Sequence, residues 1–347
     1  MTVHFVVPGD PATRTGGYLY DARIIEELRR QGWQVVLHTL ADGFPDPDAQ
    51  ALAAAEWLFA DFSNGATVVI DGLALGGMPQ LVTAQAGRLR LVALIHHPLA
   101  METGLSAADQ QRLFEAEQVA LAAVDRVIVT SSSTARALAE YSIAAEHIGI
   151  VPPGTDPAPL ATGSGSTTLK LLCVATLTPR KGHAVLFDAL ATLRELDWQL
   201  QCVGSHSRSP ETAVQLRSQL AELALERRVQ LIDEITAVQL AAYYHHADLF
   251  VLPSHYEGYG MVLAEAVARG LPIVSTAAGA ISDTVPKDAA VLVPPGDSTA
   301  LALALREILT DATQREALAR GARAARRRFT DWPTAGARFV AQLQRVS

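Results

Sequence analysis

Two glutamates, Glu257 and Glu265, are the acidic residues whose setting most clearly indicates chemistry. An apolar strand is predicted at 249–252, a glycine-containing turn then holds Glu257, and the helix that follows carries Glu265. Backbone N–H groups at a helix start attract phosphate, and Gly258 and Gly260 let a ligand approach the main chain closely. Because carboxylates accept hydrogen bonds from hydroxyl groups, this segment is predicted to bind a sugar nucleotide.

A basic run earlier in the second half is a candidate partner for phosphate. Residues 176–183 read Thr-Leu-Thr-Pro-Arg-Lys-Gly-His and stand between a predicted strand and a predicted helix. Two adjacent cations at a helix start suit a diphosphate, because Lys181 supplies a point charge and Arg180 a planar fork of donors. From this run alone, a solvated surface pair is an equally good interpretation.

Two pairs of residues in the first half follow predicted strands. Gly16 and Gly17 come after the first strand, where ligands of open α/β sheets bind, although a purely structural turn is an equal alternative. The pair lacks the Gly-x-Gly-x-x-Gly spacing of dinucleotide folds, which disfavours an oxidoreductase. His96 and His97 close the fourth strand and precede Glu102, so titratable groups are expected at a strand end.

Short apolar strands alternate with amphipathic helices along the whole chain. Continuous apolar strands in such an alternation predict α/β domains with parallel sheets. The predicted strands lie at 3–7, 34–40, 67–71, 91–96, 126–130, 148–151, 169–175, 200–203, 229–231, 249–252, 272–275 and 290–293.

Two domains are expected, because 347 residues exceed one ordinary core. Residues 152–168 are rich in Pro, Gly and Ser and interrupt the alternation, which predicts a linker. It separates a first domain, 1–151, from a second domain, 169–331, and two such domains in tandem are expected to face a cleft.

The composition excludes several classes of protein. An apolar fraction of 49% with 18% charged residues fits a compact globule, and a net charge of −8 argues against a nucleic-acid binder. A local basic patch leaves peripheral contact with a membrane open.

Cys173 and Cys202 lie in apolar strand-like runs, which predicts buried thiols in a reducing compartment. No leader peptide or membrane-spanning stretch is recognised, so a cytoplasmic location is expected. Peripheral attachment to the inner face of the membrane is left open.

Together these motifs resemble the retaining sugar-nucleotide glycosyltransferases of family 4. That resemblance implies the GT-B fold, in which two Rossmann-like, doubly wound parallel-sheet domains face a cleft. Its most specific part is Glu257-x7-Glu265 within a strand, turn and helix, and the match runs through nearly the whole chain. The supporting segments are Gly16-Gly17, 177–182, Val203-Gly204, 270–274 and 291–297.

The resemblance implies a role for each residue of the turn and helix. Glu257 is similar to the carboxylate that holds hydroxyls of the donor sugar. Gly258, Tyr259 and Gly260 are expected to offer backbone N–H groups to the sugar and the distal phosphate. Glu265 resembles the acid that accepts both ribose hydroxyls.

The resemblance also implies the phosphate and base contacts. Lys181 is similar to the phosphate-binding lysine. Family members usually carry an arginine where this chain has Thr176, and Arg180 is the candidate substitute. The nucleobase is expected against the main chain near Ile235, with UDP favoured over GDP because it is the commoner donor type.

Three further expectations concern the first domain. Gly17, with Gly16, would face the diphosphate. His96 resembles the histidine near the reacting sugar carbon, and His97 is the alternative. In this fold the last helix, here 332–347, packs back on the first domain.

The implied reaction is transfer of a hexosyl group from a nucleotide-diphosphate sugar to an acceptor hydroxyl, with the anomeric configuration kept. No metal and no cofactor is expected, because cations and helix starts stabilise the departing diphosphate. A sugar-nucleotide epimerase or hydrolase, and a non-catalytic nucleotide-sugar-binding subunit, are the alternatives. A lipid, polysaccharide or small-molecule acceptor and the oligomeric state stay open.

Overall fold

The computed structural model describes residues 1–346. They form two compact units, one made of Met1–Gly154 and the chain from Thr330 onward, the other of Thr155–Phe329. Each unit contains its own hydrophobic core and its own six-stranded sheet. In the part of the chain that the structure describes, no helix is long and apolar enough to cross a lipid bilayer.

The first unit is built on a sheet with the strand order β2-β1-β3-β4-β5-β6, in which every pair is parallel. Its central strands are almost wholly apolar and buried, as parallel strands covered by helices must be. The elements are β1 (Thr2–Pro8), α1 (Gly16–Arg30), β2 (Gln34–Leu40), α2 (Ala49–Ala60), β3 (Thr67–Asp71), α3 (Gly72–Gly77), α4 (Pro79–Gln85), β4 (Arg90–Ile95), α5 (Ala107–Ala122), β5 (Arg126–Val129), α6 (Ser132–Ala137) and β6 (Ile148–Ile150).

The second unit has the strand order β12-β11-β10-β7-β8-β9, again parallel throughout. Counted from its first strand, this is the 3-2-1-4-5-6 order of dinucleotide-binding sheets. The elements are β7 (Leu169–Val174), α7 (His183–Ala191), β8 (Trp198–Val203), α8 (Pro210–Glu222), β9 (Val229–Ile232), α9 (Ala237–His245), β10 (Leu249–Leu252), α10 (Met261–Ala268), β11 (Ile273–Thr276), α11 (Ile281–Thr284), β12 (Ala290–Val293), α12 (Ser298–Thr310) and α13 (Ala312–Ala325).

The last helix, α14 (Trp332–Leu343), belongs to the first unit. The Asp331 side chain caps its start by accepting a hydrogen bond from the backbone N–H of Thr334 at 2.8 Å. One turn of α14 places Trp332 beside Tyr20, with ring centroids 6.1 Å apart, and a later turn stacks Phe339 on Phe5 at 5.8 Å. The helix therefore contributes aromatic side chains to the core of a sheet that lies far away in sequence.

The α/β prediction with two parallel sheets is confirmed, and most predicted strands differ from the observed ones only at their ends. One local expectation is corrected. Gly16 and Gly17 are not a turn but the first two residues of α1, because Thr15 is extended and forms its N-cap.

Each sheet has one place where its strand order reverses, and ligands of open α/β sheets bind outside the carboxyl ends of the strands there. In the first sheet the reversal lies between β1 and β3, and in the second between β7 and β10. The loops that leave these strands hold the side chains described next.

Candidate functional site

In the second unit, a carboxylate, two cations and a hydroxyl meet beside the reversal point. Lys181 Nζ lies 2.6 Å from Glu257 Oε1, and the Ser254 hydroxyl donates to the same oxygen at 2.6 Å. Arg180 Nη1 lies 3.9 Å from Glu257 Oε2 and donates to the Tyr256 carbonyl at 3.1 Å. We call Arg180, Lys181, Ser254 and Glu257 the glutamate cluster.

The cluster forms because two loops pack closely against each other. After β7, a 3-10 turn (Pro179–Lys181) ends at Gly182, whose φ of 71° is the left-handed conformation that glycine adopts at little cost. A Cβ at Gly182 would overlap the carbonyl oxygen of Pro253 in the loop after β10. The backbone N–H of His255 donates to the Arg180 carbonyl at 2.7 Å. The glycine thus lets the basic turn lie directly against the acidic one.

Electrostatics keeps the carboxylate ionised although only 6% of Glu257 is exposed. Burial raises the pKa of Glu257, but the charges of Lys181 and Arg180 and the hydrogen bonds from Lys181 and Ser254 lower it more. The net pKa lies below the usual value for a glutamate. The cluster therefore carries one more positive than negative charge, which suits an incoming anion.

The turn that follows Glu257 is held by hydrogen bonds from the residues that follow β11. Ala280 donates its backbone N–H to the Glu257 carbonyl at 2.8 Å, and the Thr284 hydroxyl donates to the Tyr259 carbonyl at 2.7 Å. Gly260 then adopts a φ of 86° and begins α10. The start of this helix consequently lies next to Glu257, as a phosphate site requires.

Glu265 lies on α10 and is half-buried. Arg269, one turn later, donates to the Glu265 carbonyl at 3.0 Å, and its guanidinium lies 4.3 Å from the centre of the Tyr244 ring. Burial raises the pKa of Glu265, and Arg269 and the Tyr244 hydroxyl oppose this effect. A carboxylate in this setting can accept two hydroxyl hydrogen bonds from a ribose.

The first unit places a histidine between two buried carboxylates. His96 directly follows β4, Asp71 ends β3, and Asp21 lies on α1. His96 Nε2 is 3.1 Å from Asp21 Oδ1 and 3.5 Å from Asp71 Oδ2. The Tyr20 ring meets the imidazole edge-on at 5.4 Å. We call Asp21, Asp71 and His96 the histidine cluster.

The two carboxylates hold His96 in its protonated form. Burial lowers the pKa of His96, but the charge and hydrogen bond of Asp21 and the contact with Asp71 raise it to about 10. The imidazolium is therefore a fixed cation at neutral pH rather than a general base. The three ligand atoms also lie within 4.8 Å of one another, close enough to share a metal ion.

Comparison with known proteins assigns the family. The family model "Glycosyl transferases group 1" matches residues 160–325, and the model "Glycosyltransferase Family 4" matches residues 20–159. The chain is 30% identical over 356 residues to the D-inositol 3-phosphate glycosyltransferase of Xylanimonas cellulosilytica, covering 96% of this chain and 76% of that protein. The chain belongs to glycosyltransferase family 4.

Another relative of this glycosyltransferase is the MMP alpha-(1->4)-mannosyltransferase of Mycolicibacterium hassiacum. The two are 29% identical over an alignment of 328 residues, which covers 90% of this chain and 78% of that protein. Among solved structures, sucrose-phosphate synthase from Thermosynechococcus elongatus superposes with a TM-score of 0.83 at 24% identity, covering 99% and 98% of the two chains. HepE of Anabaena in complex with UDP-glucose superposes with a TM-score of 0.79 at 20% identity, covering 99% of each chain. These structures share the GT-B fold.

The predicted residues of the first unit lie at different distances from the histidine cluster. A Cβ on Gly17 would lie 3.1 Å from His96 Cδ2, so this glycine of the glycosyltransferase packs against the imidazole. Gly16 has open space where its side chain would be. His97 turns instead to Glu102, with His97 Nε2 3.5 Å from its Oε2. The structure thus brings His96, and not His97, to the two aspartates.

Two further predicted residues, Thr176 and Ile235, are not part of the glutamate cluster. Thr176 follows β7, and its backbone packs so closely on Gly204 that a Cβ on that glycine would overlap it. Ile235 lies in the loop after β9 and packs, half-buried, on the edge of the core. Arg180, proposed to replace the arginine missing at Thr176, points to Glu257.

Three residues of the two clusters escape sequence reasoning. Asp21 lies four residues after Gly17 and so on the same helical face, a signal that periodicity could have provided. Asp71 ends an apolar strand and caps α3 by accepting a hydrogen bond from the Leu73 backbone N–H at 2.9 Å, so its position in the sequence predicts a helix cap rather than a site. Ser254, which is fully buried, gives no comparable signal, because only the fold of the loop brings its hydroxyl to Glu257.

Proposed function

We propose that this glycosyltransferase moves a hexosyl group from a nucleotide-diphosphate sugar to an acceptor hydroxyl and retains the anomeric configuration. The observation that carries the proposal is the glutamate cluster. Its two cations complement a diphosphate, its carboxylate can accept sugar hydroxyls, and two helices begin beside it.

The donor is held by residues of the second unit. Lys181 and Arg180 bind the diphosphate, Glu257 binds hydroxyls of the sugar, and Glu265 binds the ribose. Lys181 Nζ lies 2.6 Å from Glu257 Oε1, so each of these two side chains orients the other. Such preorganisation lowers the cost of binding.

The donor base is proposed to be uracil. HepE, which shares the fold, was solved with UDP and with UDP-glucose. The loop that ends near Ile235 is held by Asp233, which accepts hydrogen bonds from the backbone N–H groups of His206 at 3.1 Å and Glu234 at 2.8 Å. We propose that the nucleobase lies against the main chain of this loop.

The chemistry needs charge stabilisation more than a base. The bond between the anomeric carbon and the phosphate oxygen breaks, and the acceptor oxygen forms its bond to the same face of the sugar. The acceptor proton passes to the leaving phosphate oxygen, so no protein group has to remove it. Negative charge builds up on the departing diphosphate, where Lys181, Arg180 and the helix starts stabilise it without a catalytic metal.

His96 is proposed to act near the reacting sugar carbon as a cation. Its two aspartate partners keep it protonated, so it can donate a hydrogen bond to a sugar hydroxyl but cannot accept the acceptor proton. This assignment fits a mechanism in which the leaving phosphate accepts that proton.

The first test is a thermal-shift panel of UDP-, GDP- and ADP-sugars, because a ligand that binds only the folded state raises the melting temperature. We expect a UDP-hexose to give the largest shift. The Glu257→Gln and Lys181→Ala variants should lose this response while melting cooperatively on their own. A wild-type chain that responds to none of these donors would contradict the proposal.

The second test follows the products by NMR with the donor identified in the panel. Transfer to an acceptor with the donor's anomeric configuration is the expected result. Inverted product would contradict retention. An isomerised sugar nucleotide, or rapid release of free sugar without acceptor, would instead assign epimerase or hydrolase activity.

A further inference from the structure

A second set of chemically active side chains lies in the core of the second unit. Cys173 on β7 and Cys202 on β8 are direct partners in the parallel register, so their side chains leave the same face of the sheet. His183, the first residue of α7, covers them. The two cysteines are fully buried and His183 is 1% exposed. We call these three residues the thiol cluster.

The distances within the thiol cluster are those of ligands around one metal ion. The two Sγ atoms and one imidazole nitrogen all lie within 4.8 Å of one another, and His183 Nε2 is 3.8 Å from Cys173 Sγ. A zinc ion takes bonds of about 2.3 Å to sulfur and about 2.05 Å to nitrogen. Two such bonds span 3.8 Å when they meet at about 120°, an ordinary angle for a ligand pair.

We propose that Cys173, His183 and Cys202 bind one soft divalent cation, zinc, through three protein ligands. Two thiolates and a neutral imidazole around Zn²⁺ form a group without net charge, which can be buried at far lower cost than an isolated ion. Thiolate and imidazole are the ligands that zinc prefers, whereas magnesium and calcium require oxygen.

Buried cysteines often pack simply as small apolar residues, and the imidazole distinguishes this cluster from that case. A histidine is seldom fully buried, and His183 Nε2 lies 3.8 Å from the Cys173 thiol, which is a weak hydrogen-bond partner. A metal ion would give that nitrogen a strong partner.

The site would connect three elements next to the glutamate cluster. His183 comes two residues after Lys181, so a metal bound to its imidazole would tie the start of α7 to β7 and β8. The basic turn would then be anchored at the end that faces the core. This proposal concerns metal content and stability, and it stands or falls independently of the proposed donor and reaction.

The test is metal analysis of the full chain, freed of any affinity tag and purified from zinc-supplemented medium. We expect about one zinc per chain, released together with two reactive thiols when the protein is denatured. Refolding with cobalt should produce the intense near-ultraviolet thiolate-to-metal bands of a metal bound by two cysteines.

Variants distinguish this site from adventitious binding. His183→Asn and Cys173→Ser should each lower the zinc content to background, whereas His246→Asn, which removes an exposed imidazole outside the cluster, should keep it. Should the cluster variants fail to fold, the cobalt spectrum of the unmodified chain still decides. A folded wild-type chain without stoichiometric zinc and without thiolate-cobalt bands would overturn the proposal, as would variants that retain the metal.

Discussion

The two sheets of this glycosyltransferase carry clusters of opposite composition at equivalent topological positions. In the first unit one imidazolium lies between two carboxylates, and in the second one carboxylate lies among two cations. The backbone rule that places loops at a reversal point is the same in both sheets. The side chains that follow the strands are what differ.

The difference in charge separates two kinds of task. The glutamate cluster has excess positive charge and matches a diphosphate. The histidine cluster has more carboxylates than cations, and its two aspartates fix the protonation of their own histidine. This difference supports the proposed roles, in which the glutamate cluster binds the diphosphate and His96 donates to a sugar hydroxyl.

The largest effect is expected from the removal of Lys181, one of the two cations of the glutamate cluster. Lys181→Ala should reduce transfer about 100- to 1,000-fold, because it removes a charge that stabilises the departing diphosphate. Steady-state kinetics should show lower kcat as well as weaker donor binding. Lys287→Ala removes an exposed lysine of the same unit and should leave both parameters unchanged. Equal activity of the two variants would remove the assigned role of Lys181.

A glycine comparison tests how tightly the basic turn of the glutamate cluster is packed. Gly182→Ala should lower the free energy of unfolding by about 2–4 kcal/mol, since the new Cβ meets Pro253 and φ is 71°. Gly16→Ala, with open space around it, should change that free energy by less than about 0.5 kcal/mol. Chemical denaturation of both variants measures the contrast, and similar losses would contradict it.

A smaller effect is expected from the removal of the Asp21 charge, which acts on the reaction through its neighbour His96. Asp21→Asn should lower the pKa of His96 from about 10 toward the usual histidine value of 6.5, because it removes the strongest source of the upward shift. NMR titration of the His96 ring measures this directly. Transfer should fall about 10- to 100-fold, with the loss growing as pH rises through the lowered pKa. An unchanged titration of His96 would show that Asp21 does not control its protonation.

The last effect appears only over a range of pH and concerns Glu117, a buried acid on α5 that accepts a hydrogen bond from the Leu99 backbone at 3.0 Å and so holds the loop after His96. Burial raises its pKa from 4.5 to about 7. The folded state therefore keeps this proton between those pH values while the unfolded state loses it, and stability should fall by up to about 3 kcal/mol as pH rises through that window. Glu117→Gln should flatten this part of the wild-type stability profile, and an identical profile would contradict the assignment.

Much of the architecture could be predicted, because strand and helix periodicities are local. Residues 67–71 and 249–252 are apolar runs of strand length, and both are strands within the sheets. The Gly16-Gly17 pair led to the wrong prediction of a turn at these positions. Glycine disfavours the interior of a helix, but it is tolerated at the first positions of a helix, where this pair lies. Propensity alone does not locate a helix start.

The sequence by itself determined the α/β class, the two alternating halves and the choice of Lys181 and Glu257 as separate candidate site residues. Only the tertiary structure decided that Lys181 contacts Glu257 across 76 positions of sequence and that His96, rather than His97, meets Asp21 across 75. The reason is physical. Periodicity and turn chemistry depend on neighbours within a few residues, whereas ion pairing and proton affinity depend on which strand ends the sheet order brings together.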